Sequence, residues 1–274
     1  PKFDAIIALD NQIFNFGKIF IKVIHTPGHT LESSSYLLFD EEGKPNSIFT
    51  GDTLFIGDVG IPDVAQRYKG LSKKDLASIL YNSINDKIKP LPDDIIVYPG
   101  HGAGSACGKN MMKETFDTLG NQKKINYSIN DTISKEYFIK ALIDDLPKPP
   151  SYFPHNVRMN QDGYENLSNV IKKAKNPLSP SEFESKMKIK DVKILDVRSS
   201  EQFCLGHIPG SIFIGINGGF APWVGAIMSD PSIQILLVVD ETKFEETIIR
   251  LSRVGFDKVI GYLNGGFNSW SSIN

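Results

Sequence analysis

Short runs of β-branched and aromatic residues alternate with helical patterns through the first half of the chain. Residues Ile19 to Ile24, Ser34 to Phe39, Ser47 to Thr50 and Asp94 to Tyr98 read as strands, and the second and third flank an Asp40-Glu41-Glu42-Gly43 turn. Ser72 is placed to cap a helix on which Leu76, Ile79, Leu80 and Ile84 share one face. A second helix is predicted over Lys109 to Thr118, with Gly120 near its C-terminal cap. A third, from about Ser134 to Asp144, would gather Tyr137, Phe138, Ala141 and Leu142. It must stop before Pro147-Lys148-Pro149-Pro150, because proline has no N–H to continue the ladder.

Beyond these prolines the pattern changes. Ser151 to Asn160 is aromatic and without clear period, and Asn176-Pro177-Leu178-Ser179-Pro180 marks a linker within residues 174–181. After it, Lys193 to Val197, Ile235 to Val239 and Lys258 to Leu263 are continuous apolar runs separated by helical material, the signature of parallel strands buried on both faces. The expected organisation is two α/β domains, residues 1–175 and 176–274.

Composition agrees with that division and removes several function classes. A chain of 274 residues, 41% hydrophobic and 23% charged, can bury two cores. A formal net charge of −2 gives no electrostatic footprint for nucleic acid or an anionic membrane, and Lys172-Lys173 reads as a solvated helix face. No apolar run reaches the roughly 18 residues of a membrane span. Two cysteines, Cys107 and Cys204, far apart in the chain, exclude a disulfide scaffold and favour a reducing cytoplasm. A homo-oligomer is compatible with all of this.

The candidate chemistry lies in three glycine-bordered stretches that follow strand-like runs: His25-Thr26-Pro27-Gly28-His29-Thr30, Thr50-Gly51-Asp52-Thr53-Leu54-Phe55 and Tyr98-Pro99-Gly100-His101-Gly102. A divalent metal needs neutral imidazoles and an ionised carboxylate converging at about 2.0–2.2 Å, and glycine allows the turns that aim them.

In order and wording these stretches resemble the later metal motifs of the metallo-β-lactamase superfamily. Gly51-Asp52-Thr53-Leu54-Phe55-Ile56-Gly57-Asp58 is most similar to its glyoxalase II and persulfide dioxygenase branches. The resemblance implies that His29 is the second-motif histidine, Asp52 the acidic ligand and His101 the last-motif histidine, while His25 is an ordinary strand residue. The superfamily's first motif, His-x-His-x-Asp-His, is absent: the residues before His29 contain no histidine except His25, and the chain opens on Pro1. The expectation is a fragment with an incomplete metal site. In the persulfide dioxygenase branch the resemblance implies a mononuclear Fe(II) with His101 behind the ligands; in a dinuclear zinc hydrolase, the alternative, His101 would hold a second metal. Arginine commonly stands at the place of Ile61, on the loop that also carries Asp58 and Asp63. Cys107, expected at a helix start where a thiol's pKa is lowered, is read as a small packed residue. The Ser151 to Asn160 tail, with His155, is expected on the metallo domain.

The second domain resembles a rhodanese through Asp196-Val197-Arg198, Gly206-His207-Ile208-Pro209-Gly210-Ser211-Ile212 and Leu263-Asn264-Gly265-Gly266-Phe267. Active rhodaneses place a cysteine after the central strand. Here Asp240 stands in its place, followed by Glu241-Thr242-Lys243-Phe244-Glu245-Glu246, so no catalytic residue is assigned and the domain reads as a pseudo-rhodanese. Cys204 is expected to be small and buried, and His207 to serve a structural turn.

The fold expectation is a partial metallo-β-lactamase αβ/βα sandwich followed by a rhodanese-like doubly wound parallel-sheet domain. The functional expectation is oxidation of a glutathione- or coenzyme A-type persulfide by O₂ to sulfite. A zinc-dependent glyoxalase II-like thioester hydrolase and a non-catalytic sulfur-related scaffold are the alternatives.

Overall fold

The computed structural model describes residues 2–62, 70–146, 150 and 152–273. Two compact units divide them: Ile6–Pro149, and Pro150–Asn274 together with Pro1–Ala5.

In the first unit, β1 (Ile13–Phe16), β2 (Ile19–His25), β3 (Ser34–Phe39) and β4 (Pro45–Gly51) form an antiparallel meander. The β3–β4 turn closes because Asp40 Oδ1 accepts from the N–H groups of Glu42 (3.1 Å) and Lys44 (2.8 Å), with Gly43 in the left-handed region at φ +74°. Helix α1 (Lys73–Ser83) then carries the chain back, so that β5 (Ile96–Pro99) lies parallel to β4. Ser72 caps α1 through a reciprocal pair with Asp75, as expected. Its buried face, Leu76, Ala77 and Leu80, continues through one π-helical turn (Ile84–Ile88) whose two isoleucines join Ile24, Leu37, Ile48 and Val97 in the core.

Downstream the structure departs from expectation. Lys109 to Thr118 is not a helix. It is a run of turns ending in β6 (Asp117–Thr118), antiparallel to β5, and α2 (Leu119–Ile125) starts where the predicted helix ends. Two interactions explain this: the N–H groups of Lys109 and Asn110 are drawn onto the Asp58 carboxylate, both at 2.6 Å, and Thr118 Oγ1 caps the later helix at Asn121. Cys107 therefore does not sit at a helix N-terminus. Helix α3 (Lys135–Ile143) is capped by Ser134 and buries Phe138 and Leu142, while Tyr137 lies on the solvent side. Asp63, the Pro147-Lys148-Pro149 run and Ser151 fall outside the described residues.

In the second unit, the tail read as aperiodic forms α4 (Phe153–Asp162), with proline in its first turn, followed by α5 (Leu167–Ala174). Both group with the second unit rather than the metallo domain, earlier in the chain than the boundary expected at residue 176. Val170 and Ala174 enter the second unit's core, and His155 packs half-buried beside Gly255. The presumed linker is itself structured: β7 (Pro177–Leu178) adds an outer strand, and Ser179 caps α6 (Pro180–Met187) with Glu182. There follow β8 (Val192–Asp196), α7 (Ser200–Leu205), β9 (Ile212–Phe213), α8 (Phe220–Met228), β10 (Gln234–Val238), α9 (Phe244–Ser252), β11 (Val259–Leu263) and α10 (Gly266–Ser271). The sheet is wholly parallel, in the order β7-β11-β10-β8-β9. Alternation sends Leu195, Ile235 and Leu237 to one face, with α5, α8 and α9, and Ile194, Leu236 and Val238 to the other, with Phe183 of α6 and Trp270 of α10. Helices on both faces of a parallel sheet are the expected doubly wound arrangement.

Candidate metal centre

Strands β2, β4 and β5 run in the same direction, and each of the three stretches leaves its strand at the C-terminal end. The sheet thus gathers residues that are distant in the chain. Glycine permits the approach at two positions in particular. A Cβ on Gly100 would lie 2.6 Å from Asp52 Oδ1, and one on Gly60 would lie 2.0 Å from the Asp52 carbonyl oxygen and 3.0 Å from the His29 ring.

The buried His29 has its Nδ1 2.7 Å from the Ile61 carbonyl oxygen. A carbonyl can only accept, so Nδ1 carries the proton and Nε2 keeps its lone pair. That Nε2 is 3.5 Å from Asp52 Oδ2, and His101 Nε2 is 3.3 Å from the same oxygen. His101 is the more open of the two imidazoles, with 44% of its side chain exposed, and its ring meets Phe55 edge-on at 6.1 Å. The three residues singled out from the sequence are together. The tightest set of donors takes Cys107 rather than His101: ligand atoms of His29, Asp52 and Cys107 all lie within 4.8 Å of one another, while His101 meets this set at Asp52. The sequence signal for Cys107 was its place shortly after His101; the misplaced helix obscured it.

What holds Cys107 there is Asp58, fully buried on the loop after Asp52. Its Oδ2 takes the Lys109 and Asn110 N–H groups, its Oδ1 takes that of Val59 at 2.8 Å, and the Tyr127 hydroxyl donates to Oδ1 at 3.3 Å. Burial, then the Asp58 charge, pushes the Tyr127 phenol well above its ordinary range. Asn126 donates to the carbonyls of Phe55 and Asp58, and Gln122 accepts from Gly57 N–H, so α2 braces the same loop. Ile61 is 2% exposed; its carbonyl orients His29 and its N–H donates to the Cys107 carbonyl. His25, the last residue of β2, donates from Nε2 to the Leu31 carbonyl oxygen at 2.7 Å and is not among the clustered donors.

A crystal structure of a metallo-β-lactamase from Staphylococcus aureus subsp. aureus COL matches with a TM-score of 0.76 at 32% identity, covering 94% of this chain and 70% of that one. The chain belongs to the metallo-β-lactamase family. The rhodanese-like domain family matches residues 179–273, so this metallo-β-lactamase family member carries a rhodanese-like domain as well. The human mitochondrial persulfide dioxygenase is 30% identical over 51% of this chain and 47% of its own length. Glyoxylase B2 of Dictyostelium discoideum is 31% identical over 58% of this chain and 50% of its own. The chain thus spans about half the length of these two curated relatives.

In the rhodanese-like domain of this family member, Asp240 follows β10, the central strand, and Glu241–Lys243 form a single 3-10 turn leading into α9. A cleft of about 260 Å³ adjoins this loop, lined in part by Asp240, Glu241, Asn264 and Gly265. It presents carboxylates where a sulfur nucleophile would be needed. Cys204 is exposed on α7 rather than buried as expected. His207 serves the turn: its ring stacks on Phe203 at 4.1 Å and its Nδ1 lies 3.1 Å from the Phe203 carbonyl. The Asp196–Arg198 pair is structural too, a buried bidentate contact closed by the Phe267 ring over the guanidinium. No helix among the described residues is long and apolar enough to cross a membrane.

Proposed function

We propose that the intact protein is a metal-dependent persulfide dioxygenase, oxidising a low-molecular-weight persulfide of the glutathione or coenzyme A type in the cytoplasm: RSSH + O₂ + H₂O → RSH + SO₃²⁻ + 2H⁺. One observation carries the reading. Two donors about 2.1 Å from a common ion stand roughly 3.0–3.4 Å apart in octahedral or tetrahedral geometry; the 3.3 Å from Asp52 Oδ2 to His101 Nε2 falls in that range and the 3.5 Å to His29 Nε2 lies just above it. Nitrogen, carboxylate and sulfur donors in one cluster suit a borderline metal, iron or zinc, over calcium or magnesium.

His29 and Asp52 would hold the ion, with His101 on the open side. The metal supplies a Lewis-acidic site for substrate sulfur and O₂. The chain's residues do the rest. The Ile61 carbonyl fixes the His29 tautomer, the Asp52 carboxylate offsets cationic charge, and Asp58 holds the Cys107 loop over the cluster. We take the rhodanese-like domain, without a nucleophile after β10, to be a non-catalytic partner domain.

The relatives named above also support a zinc thioester hydrolase, and the placement of Asp52 between two imidazoles favours it as the second reading. Anaerobic reconstitution of the full-length protein with Fe(II), followed by oxygen uptake on glutathione persulfide, separates the two. One iron per chain and stoichiometric sulfite support the dioxygenase. Two zinc ions and thioester hydrolysis without oxygen uptake reject it.

A further inference from the structure

The unit Pro150–Asn274 contains a cavity of about 530 Å³ between α4, α5 and the end of α9, within the size range of small-molecule sites. Met159, Leu167, Val170 and Ile249 give it an apolar wall. Among the described residues, three buried side-chain oxygens have no hydrogen-bond partner: Asn156 Oδ1, Ser252 Oγ and Asp257 Oδ1. All three residues line this one cavity.

Buried polar atoms are nearly always satisfied, so three on residues that line one cavity constitute a demand for donors. Asn156 already spends its amide N–H on the Arg253 carbonyl at 3.3 Å, which leaves its oxygen to accept. Asp257 adds a carboxylate, and Ser252 a hydroxyl that can accept. A primary ammonium answers this set: it offers three N–H donors, no acceptor and the compensating charge. The other acid of the cavity, Glu165, is engaged by Lys173 at 2.6 Å. Arg253, exposed on the same cavity, presents the opposite charge.

We propose that this cavity binds a zwitterionic α-amino acid with an apolar side chain, its ammonium on Asn156, Ser252 and Asp257 and its carboxylate on Arg253. The apolar wall receives the side chain. Since the three oxygens are buried, side-chain rotation at Asn156, Ser252 and Asp257 accompanies entry.

Isothermal titration of the full-length protein with L-methionine tests this, alongside N-acetyl-L-methionine, which lacks the ammonium, and 3-(methylthio)propylamine, which lacks the carboxylate. L-Methionine is expected to bind and each truncated probe to bind about tenfold more weakly or worse, the scale of one lost charged hydrogen bond. Asp257→Asn should weaken L-methionine by a similar factor. Arg253→Gln, at an exposed position, should bind L-methionine and the propylamine equally. The assignment is overturned if the wild-type protein binds no probe at millimolar concentration, so that water alone serves these oxygens. It is equally overturned if acetylation leaves binding unchanged, or if Arg253→Gln still prefers the carboxylate.

Discussion

The Tyr127 hydroxyl donates to Asp58 Oδ1 across 3.3 Å, joining the segment after α2 to the loop that follows the Asp52 turn. The phenol is largely buried, and burial first, then the Asp58 charge, raises its pKa. An unfolded tyrosine ionises near pH 10. The unfolded chain therefore loses this proton before the folded one does, and the stability due to the neutral phenol is complete below about pH 10 and declines as pH rises further. Urea unfolding at pH 9 and pH 11 should show a steeper alkaline loss in wild type than in Tyr127→Phe. At neutral pH the variant should be about 1 kcal/mol less stable from the lost hydrogen bond.

Asp58 itself holds more. Replacement by Asn removes the charge and one acceptor oxygen while Lys109, Asn110 and Val59 still present N–H groups. A destabilisation of about 1.5–3 kcal/mol is expected for a hydrogen-bonded charge. Amide exchange should quicken at Lys109 and Asn110 more than in α1, which localises the damage to the Cys107 loop.

Gly60→Ala would put a methyl group 2.0 Å from the Asp52 carbonyl oxygen, a clash with backbone that no rotamer relieves. The expected cost exceeds about 2 kcal/mol, in the range of overpacked cores. Metal affinity should fall along with the thermal midpoint. Gly102→Ala, at a glycine with open space around it, should change neither.

At the C-terminal end of β2, Asp10 accepts the His25 backbone N–H at 2.7 Å and meets Lys87 Nζ at 3.1 Å. The backbone hydrogen bond, with help from Lys87, holds its carboxyl below the usual range. A depressed carboxyl stabilises above its unfolded pKa, near 3.9, and that contribution is lost as pH falls through the folded value. Asp10→Asn should cost about 0.5 kcal/mol at pH 7, the pair being partly exposed. The difference from wild type should vanish in unfolding measured near pH 2.

Much of the molecule was legible because local chemistry and tertiary context agreed. Ser72 caps a helix where its side chain predicted, the helix expected from about Ser134 forms there, and the strands before His29, Asp52 and His101 bring those residues to one end of one sheet. The failures share a cause. Lys109 to Thr118 carries helix-compatible residues, but a carboxylate distant in sequence claims its backbone donors. Asn176 to Leu178 reads as a linker, yet β11 offers it a partner that periodicity cannot reveal. Cys204 was judged by residue type alone, whereas only the packing of α7 decides its exposure.

The two-residue strand β7 has a practical consequence. The rhodanese-like match begins at residue 179, just past it. Yet Asn176 and Leu178 accept the N–H groups of Tyr262 and Asn264, and Leu178 shares the cluster of Phe183 and Trp270. A domain excised at the family boundary would expose the bare rim of β11 beside uncovered aromatic surface, a template for pairing with other molecules. Cutting upstream of α4 instead would keep that rim sheathed, and the excised domain should stay monodisperse.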